Sequence, residues 1–380
     1  MAHSPLGGSV ASRFIKCPGS HRLIQSMPEL LDADPLLDEW RGAGTAAHAM
    51  AAEALGAGLD AWELADHKFS WPLTAEDQIA VQVYLDYVRS RWRPRAEQFV
   101  EHDVSARSYH KHLFGICDWA QYDPDEAFLE IVDYKHGAGV VVNAVANPQL
   151  MYYAFCKLLE HPATRRIRMT IVQPRGFHPE GAIRHWEADA EAVMDWALTI
   201  LIPAMKAAEV SDERNPGDVC QFCPAKLYCP EALALFDEAS VPIAAGMSDE
   251  RLNERYSKIP VVAFVRKALE KEVLRRQLLG HKFESAKLVQ QKADRRFKDG
   301  ALTIFSDRFG DAAFAPPELK SPAQMEKLPG AKELVAFWSF KPQTTLVTAQ
   351  ITDKRTAVKP QSGAEVFKNY GETHADTERN

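Results

Sequence analysis

The chain has 380 residues, 46% of them apolar and 26% charged, with a formal net charge of −7. That length suits one large domain or two ordinary ones, and the composition excludes a disordered or fibrous chain. The negative balance excludes a surface coated in basic residues, though not a local basic patch. The first ten residues, MAHSPLGGSV, lack a basic segment followed by an apolar run, so no secretory signal is expected. The longest apolar stretch, near WALTILIPAM, is far too short to span a membrane. The expectation is a cytoplasmic protein whose six cysteines stay reduced, where clustered thiols favour metal over disulfide.

In chain order, residues 45–57, TAAHAMAAEALGA, read as an Ala-rich helix with Thr45 as its cap. A longer amphipathic helix is predicted over 75–98, starting after Thr74. Three strand-like runs follow: FVEHDVSARSY, HLFGICDWAQY and AFLEIVDYKH. The last two flank the turn signal DPDE and read as a hairpin. NPQLMYYAFCKLLE is the next helix, with Asn147 as cap and Pro148 at its first position. IRMTIVQPR reads as a strand, IRHWEA follows it, and a long helix is predicted over about 189–209. The order of helix, three strands, helix and strand predicts an α/β core on a small mixed sheet. No internal repeat is visible, and the tail over 361–380 is polar and expected to fray.

The hairpin carries the first chemical signal. Alternate strand residues share a face, so Asp133 and Lys135 stand side by side with Ile131, while Glu130, Val132 and Tyr134 point the other way. A turn centred near Pro124 and Asp125 brings Asp118 roughly opposite Ile131 to Asp133. Two close carboxylates repel unless they share a proton or a cation. Hard oxygen ligands suit Mg²⁺ or Mn²⁺, and a lysine beside such an ion offsets charge on a phosphoryl group. The same three residues also suit an ordinary salt-bridge group on a strand face.

The second signal is VCQFCPAKLYCP, residues 219–230, in which Cys220, Cys223 and Cys229 read C-x2-C-x5-C. Three thiolates this close suit a metal, and a closed site needs a fourth ligand. Pro230 follows the last cysteine as in bacterial ferredoxin runs, but thiolate count alone does not separate iron–sulfur from zinc. Cys117 and Cys156 have no partner pattern and read as packing residues. Between Arg251 and Gly300 there are 14 Lys or Arg against 6 Asp or Glu, much of it on the helix VVAFVRKALEKEVLRRQLLG. This is either a solvated face with pairs such as Glu272 with Arg276, or a surface for phosphates.

An Asp, then a hairpin, then (D/E)-x-K resembles the active-site signature of the PD-(D/E)XK nuclease superfamily, whose common core is α-β-β-β-α-β. Gln149 and Tyr153 in NPQLMYYA are similar to the Q-x-x-x-Y motif of RecB-family nucleases, which sits beside bound DNA. His48 in GTAAHAM matches a histidine of that family that is a metal ligand; without the resemblance it reads as a surface or core residue. SRFIKCPGSHRL resembles the family's N-terminal segment, with one cysteine before a proline. The resemblance therefore implies Cys17 as the fourth thiol. In AddB-type nucleases and CRISPR-associated RecB-like exonucleases such a set holds a 4Fe–4S cluster that staples the ends of the nuclease domain; structural Zn²⁺ is the alternative. It covers about residues 1–235. Asp133 stands where many members carry glutamate, and no G-x-x-x-x-G-K-[ST] motif for a nucleotide-driven motor occurs. Residues after about 240 loosely resemble the C-terminal half of phage and prophage proteins that share this core.

The resemblance implies a restriction-endonuclease-like nuclease domain over 1–235, a mainly helical basic region over 236–360 and the polar tail. It implies a Mg²⁺- or Mn²⁺-dependent deoxyribonuclease acting in DNA processing or recombination, an exonuclease more than an endonuclease. One or two ions would be held by His48, Asp118, Asp133 and the carbonyl of Tyr134. Lys135 would position and activate water, and Gln149 and Tyr153 would contact DNA. A single-strand annealing or recombination protein is a candidate partner, and no membrane is. The alternative is a nucleic-acid-binding accessory protein with a structural cluster and an idle nuclease site.

Overall fold

A mixed sheet of five strands forms the middle layer: β1 (Glu97–Ser105), β2 (Phe114–Asp123), β3 (Phe128–Tyr134), β4 (Arg166–Val172) and β5 (Ile183–Asp189), side by side in chain order. This computed structural model describes residues 4–27, 35–239, 246–278, 281 and 283–284. The polar tail and the basic residues expected beyond 278 lie outside the described residues. β1, β2 and β3 pair antiparallel, β3 and β4 parallel, and β4 and β5 antiparallel. The parallel pair requires a crossover, which α5 (Pro148–Glu160) supplies. Asn147 caps it as expected, accepting from the N–H groups of Gln149 and Leu150, with Pro148 at its start.

Helices cover both faces. On one, α5, α1 (Ala11–Lys16), α6 (Ala190–Trp196) and α7 (Ile202–Val210) pack on Cys117, Leu129, Ile131 and Met169. On the other, α3 (Pro35–Ala57) and α4 (Ala75–Arg91) pack on Trp119, Val132, Tyr134 and Val172. Ile131 on the first face and Val132 and Tyr134 on the second follow the alternation read from the sequence. Glu130 is fully buried on the α4 side and is satisfied there by Arg91, at 3.0 Å, and the Tyr87 hydroxyl, at 2.9 Å. Cys117 and Cys156 are fully buried packing residues.

Three helix boundaries differ from expectation. α3 starts at Pro35, not 45, and Thr45 lies inside it. Gly42 within it lies against the Trp71 ring, where a Cβ would lie 2.6 Å from the indole, so that approach needs glycine. α4 begins at the Thr74–Asp77 capping box but ends at Arg91, not 98. Pro94 disfavours helix at Arg93, and Trp92 is already extended. The helix over 189–209 is interrupted by a wide π turn at Ala197–Leu201, just before Pro203, which has no N–H to return to the preceding turn.

The cysteine segment forms two short 3-10 turns, Asp218–Phe222 and Pro224–Leu227, leading into α8 (Pro230–Ala239). α9 (Asp249–Leu278) buries Val261 and Val265 in one cluster with Cys220, Cys229 and Ala232. The boundary expected near 235 thus falls inside α8. Glu272 pairs with Arg276 at 2.7 Å, and Arg251, Lys258 and Arg266 also pair with glutamates, so much of α9's basic charge is met locally. Among the described residues no helix is long and apolar enough to cross a membrane.

Candidate metal centre and thiol cluster

The β2–β3 ladder stops at the pair Trp119 and Val132, so Asp118 comes level with Asp133 where the strands part. The next N–H, that of Tyr134, donates instead to Asp118 Oδ2 at 2.7 Å. β1 departs from regular pairing at the same level. Val100 pairs with Trp119 and His102 with Cys117, while Glu101 between them has φ +44°. A non-glycine residue in the left-handed region is strained by about 1–2 kcal/mol. It brings Glu101 to the place where Asp118 and His48 meet.

His48, from α3, puts Nδ1 3.5 Å from Asp118 Oδ1 and 3.5 Å from Glu101 Oε1. One ligand atom from each of the three residues lies within 4.8 Å of the others. The contacts of 3.5 Å are long for charge-assisted hydrogen bonds. They are close to the roughly 3.0–3.4 Å that neighbouring ligands keep around a small cation with bonds near 2.1 Å. The donor set of one imidazole and carboxylates fits Mg²⁺ or Mn²⁺. The sequence reading missed Glu101; its only signal was an acidic residue in the strand run FVEHDVS.

Asp133 is 1% exposed. Its Oδ2 lies 2.7 Å from Lys135 Nζ as an ion pair off hydrogen-bond geometry, and has no partner that meets that geometry. Lys135 Nζ donates to Gln149 Oε1 at 2.8 Å, and Gln149 Nε2 donates to the Tyr153 hydroxyl at 3.3 Å. An ammonium has three protons, so with one donated to Gln149 and one left for the Asp133 side, a third remains for a ligand. Tyr153 is buried, its ring against Gly8, so it reaches the site through Gln149. Tyr134 contributes its N–H, and its buried ring lies edge-on to His48 and beside Tyr84.

The charges are in tension. Burial pushes Asp133 up to about 6; Lys135 opposes this and Asp118 adds to it. Burial also raises Asp118, against the pull of His48. For His48, burial acts downward, but Asp118, Glu101 and Asp133 together outweigh it and push the imidazole up to about 9. The cluster therefore holds protons that a bound cation would displace.

Some distance along the chain, Cys17, Cys220, Cys223 and Cys229 are all buried and line one small cavity. Cys17 reaches it because the turn between α1 and α2 (Gly19–Gln25) is stitched to the segment before Cys220. Gly19 N–H donates to the Glu213 carbonyl at 2.7 Å, Lys16 pairs with Asp218 at 2.7 Å, and Asn215 N–H donates to Cys17 Sγ at 3.3 Å. A Cβ on Gly19 would lie 2.6 Å from that carbonyl, so the approach needs glycine. Arg13, Lys226 and Arg214 also line the cavity and offset thiolate charge. Arg13 Nε and Ser20 Oγ are buried there without hydrogen-bond partners. Burial raises the thiols of Cys220, Cys223 and Cys229, the last to about 11, so their deprotonation depends on a metal. These residues fit a thiolate-bound metal group. Four thiolates lining one cavity suit a zinc ion or an iron–sulfur cluster alike.

A family model described as a protein of unknown function (DUF2800) matches residues 3–356. No solved structure matches the chain.

Proposed function

We propose, for a chain that belongs to the DUF2800 family of proteins of unknown function, that it is a metal-dependent DNA nuclease built on a PD-(D/E)XK core. The observation that carries this reading is the convergence of His48, Glu101, Asp118, Asp133 and Lys135 at the point where β1, β2 and β3 part. His48, Glu101 and Asp118 stand at ligand spacing, and Lys135 is held beside Asp133 with a proton to spare. The hairpin followed by the parallel β3–α5–β4 unit is the order that the core requires.

His48, Glu101 and Asp118 would hold Mg²⁺ or Mn²⁺, with Asp133 and the Tyr134 carbonyl as further donors. When bound, the ion supplies positive charge to a phosphodiester oxygen and makes water more acidic. Lys135, held by Asp133 and Gln149, directs its remaining N–H at the attacking water or a phosphoryl oxygen. Tyr153 fixes the Gln149 amide, so its part is positioning. The leaving 3′-oxygen departs as a hydroxyl and the product carries a 5′-phosphate, the usual outcome of this superfamily. Digestion from an end is the proposed mode. The four-thiol site would hold a 4Fe–4S cluster that ties the N-terminal turn to α8, the group the sequence resemblance implies, with structural Zn²⁺ as the alternative.

The test is cleavage of linear DNA in Mn²⁺ against EDTA. Asp118→Ala and Lys135→Ala should each abolish it while leaving the circular dichroism unchanged. Full activity in both variants removes the site assignment. A folded wild type that binds DNA but never cuts it favours the recombination accessory reading.

A further inference from the structure

Phe177 is 89% exposed, yet the loop that carries it is anchored. Its neighbours Gly176 and His178 are both buried. His178 Nε2 lies 3.0 Å from Asn143 Oδ1, which ties this β4–β5 loop to the loop running from Lys135 to α5. Gln173 adds two bonds to that second loop, from Nε2 to the carbonyls of Gly137 and Val140 at 2.9 and 2.7 Å. The buried Arg184 guanidinium donates to the Val142 carbonyl at 2.7 and 3.0 Å. A phenyl ring held in water by a braced loop is not a fraying residue, and its position costs hydrophobic burial that nothing within the loop recovers.

The loop leaves the sheet at the candidate metal centre. Lys135 N–H donates to the Val172 carbonyl at 2.8 Å, so the ends of β3 and β4 lie side by side. Phe177 is five residues beyond Val172, so its Cα lies within about 17 Å of it. That is the range of a strand extending from the metal centre by a few nucleotides. A protein partner would require a broad contact of about 800 Å² on each side. Here the exposed apolar groups on the two tied loops are the Phe177 ring with Val141 and Val145, too little surface for such a contact. One exposed aromatic face suits one base, and bases inside a duplex have no free face.

We propose that Phe177 is a base-stacking platform on which a single-stranded segment of nucleic acid lays an unpaired base. The proposal rests on the reading of the metal centre as a phosphodiester site, since that is what brings a strand past the loop.

The test is fluorescence anisotropy of the full chain in Ca²⁺ with a short labelled single strand, and with an abasic strand of equal length. Phe177→Ala should weaken binding of the base-bearing strand by on the order of tenfold and leave the abasic strand unchanged, and Phe177→Trp should restore it. Equal binding by wild type and Phe177→Ala overturns the proposal, as does an equal loss on both strands. Phe177-dependent self-association with no dependence on bases would overturn it in favour of a protein contact. The two readings fail separately. Mn²⁺ cleavage with an unchanged KM in Phe177→Ala removes the platform and keeps the nuclease. Phe177- and base-dependent binding without any cleavage keeps the platform and removes the nuclease.

Discussion

Replacing Asp133 by asparagine should stabilise the metal-free protein. Asp133 is 1% exposed, and burial raises it from 3.8 to about 6 despite Lys135 at 2.7 Å. Its folded pKa lies above the unfolded one, so the stability conferred by its proton is present below about 4 and lost as pH rises through 6. At about 1.4 kcal/mol per pKa unit, the ionised carboxylate costs the native state about 3 kcal/mol near neutrality. The amide of the Asp133→Asn variant has no proton to lose, though it gives Lys135 a weaker partner, so about 3 kcal/mol is a ceiling. The assay is urea unfolding in EDTA from pH 4 to 8, taking the difference between variant and wild type so that other groups cancel. The difference should be small at pH 4 and grow through pH 6 in favour of Asp133→Asn. In saturating Mn²⁺ the order should reverse, because the wild type alone gains the full binding energy. A difference flat in pH, or a variant less stable than wild type at pH 8 in EDTA, would refute the reasoning.

Mn²⁺ affinity measured by calorimetry should rise from pH 6 to 9, because His48 at about 9 and Asp133 at about 6 must release protons to bind; a pH-independent affinity would exclude His48 as a ligand. Glu101→Gly removes a donor and relaxes φ +44°, so it should weaken Mn²⁺ at least about tenfold while metal-free stability holds or rises by about 1 kcal/mol. Anaerobically purified wild type should absorb broadly near 400 nm and contain iron, and Cys17→Ala should lose both; a colourless protein with one zinc would replace the cluster by a single ion. DNA binding should weaken with salt, and Lys267→Ala with Lys271→Ala, exposed residues of α9, should reduce the slope by about 2; an unchanged slope would place the phosphate contacts elsewhere.

The legibility of the site follows loop length. Asp118 and Asp133 could be aligned from the sequence because their strands are joined by the tight turn after Asp123, whose Oδ1 accepts the Asp125 N–H at 3.0 Å. Counting through so short a turn fixes the register. Glu101 could not be aligned in this way. The β1–β2 connection runs from Ala106 to Leu113, closed by an Ala106 N–H to Leu113 carbonyl bond of 2.9 Å, and no turn rule fixes its register. Its left-handed φ is also set by tertiary context, against the preference of a glutamate. The cysteine segment was legible because three of its four thiols are local. Cys17 needed the family resemblance, since the contacts of Gly19 and Lys16 that bring it across 203 positions (220 − 17) leave no periodic trace.

The candidate centre is also where the fold works against itself. Glu101 is strained by about 1–2 kcal/mol. The buried Asp133 carboxylate adds up to about 3 kcal/mol near neutrality, and the β2–β3 ladder has ended. Together this is at most about 4–5 kcal/mol, a large part of the 5–15 kcal/mol that ordinarily separates folded from unfolded chains. A cation at about a thousand times its Kd returns about 4 kcal/mol, which nearly matches it. Surface salt-bridge groups do not accumulate opposing terms of this size, because water screens them and their backbones need no strain. Two such terms on residues placed together at one candidate ion therefore favour a cation site over a surface salt-bridge group. It also makes the stability of the sheet at β1–β3 the property most sensitive to whether that ion is bound.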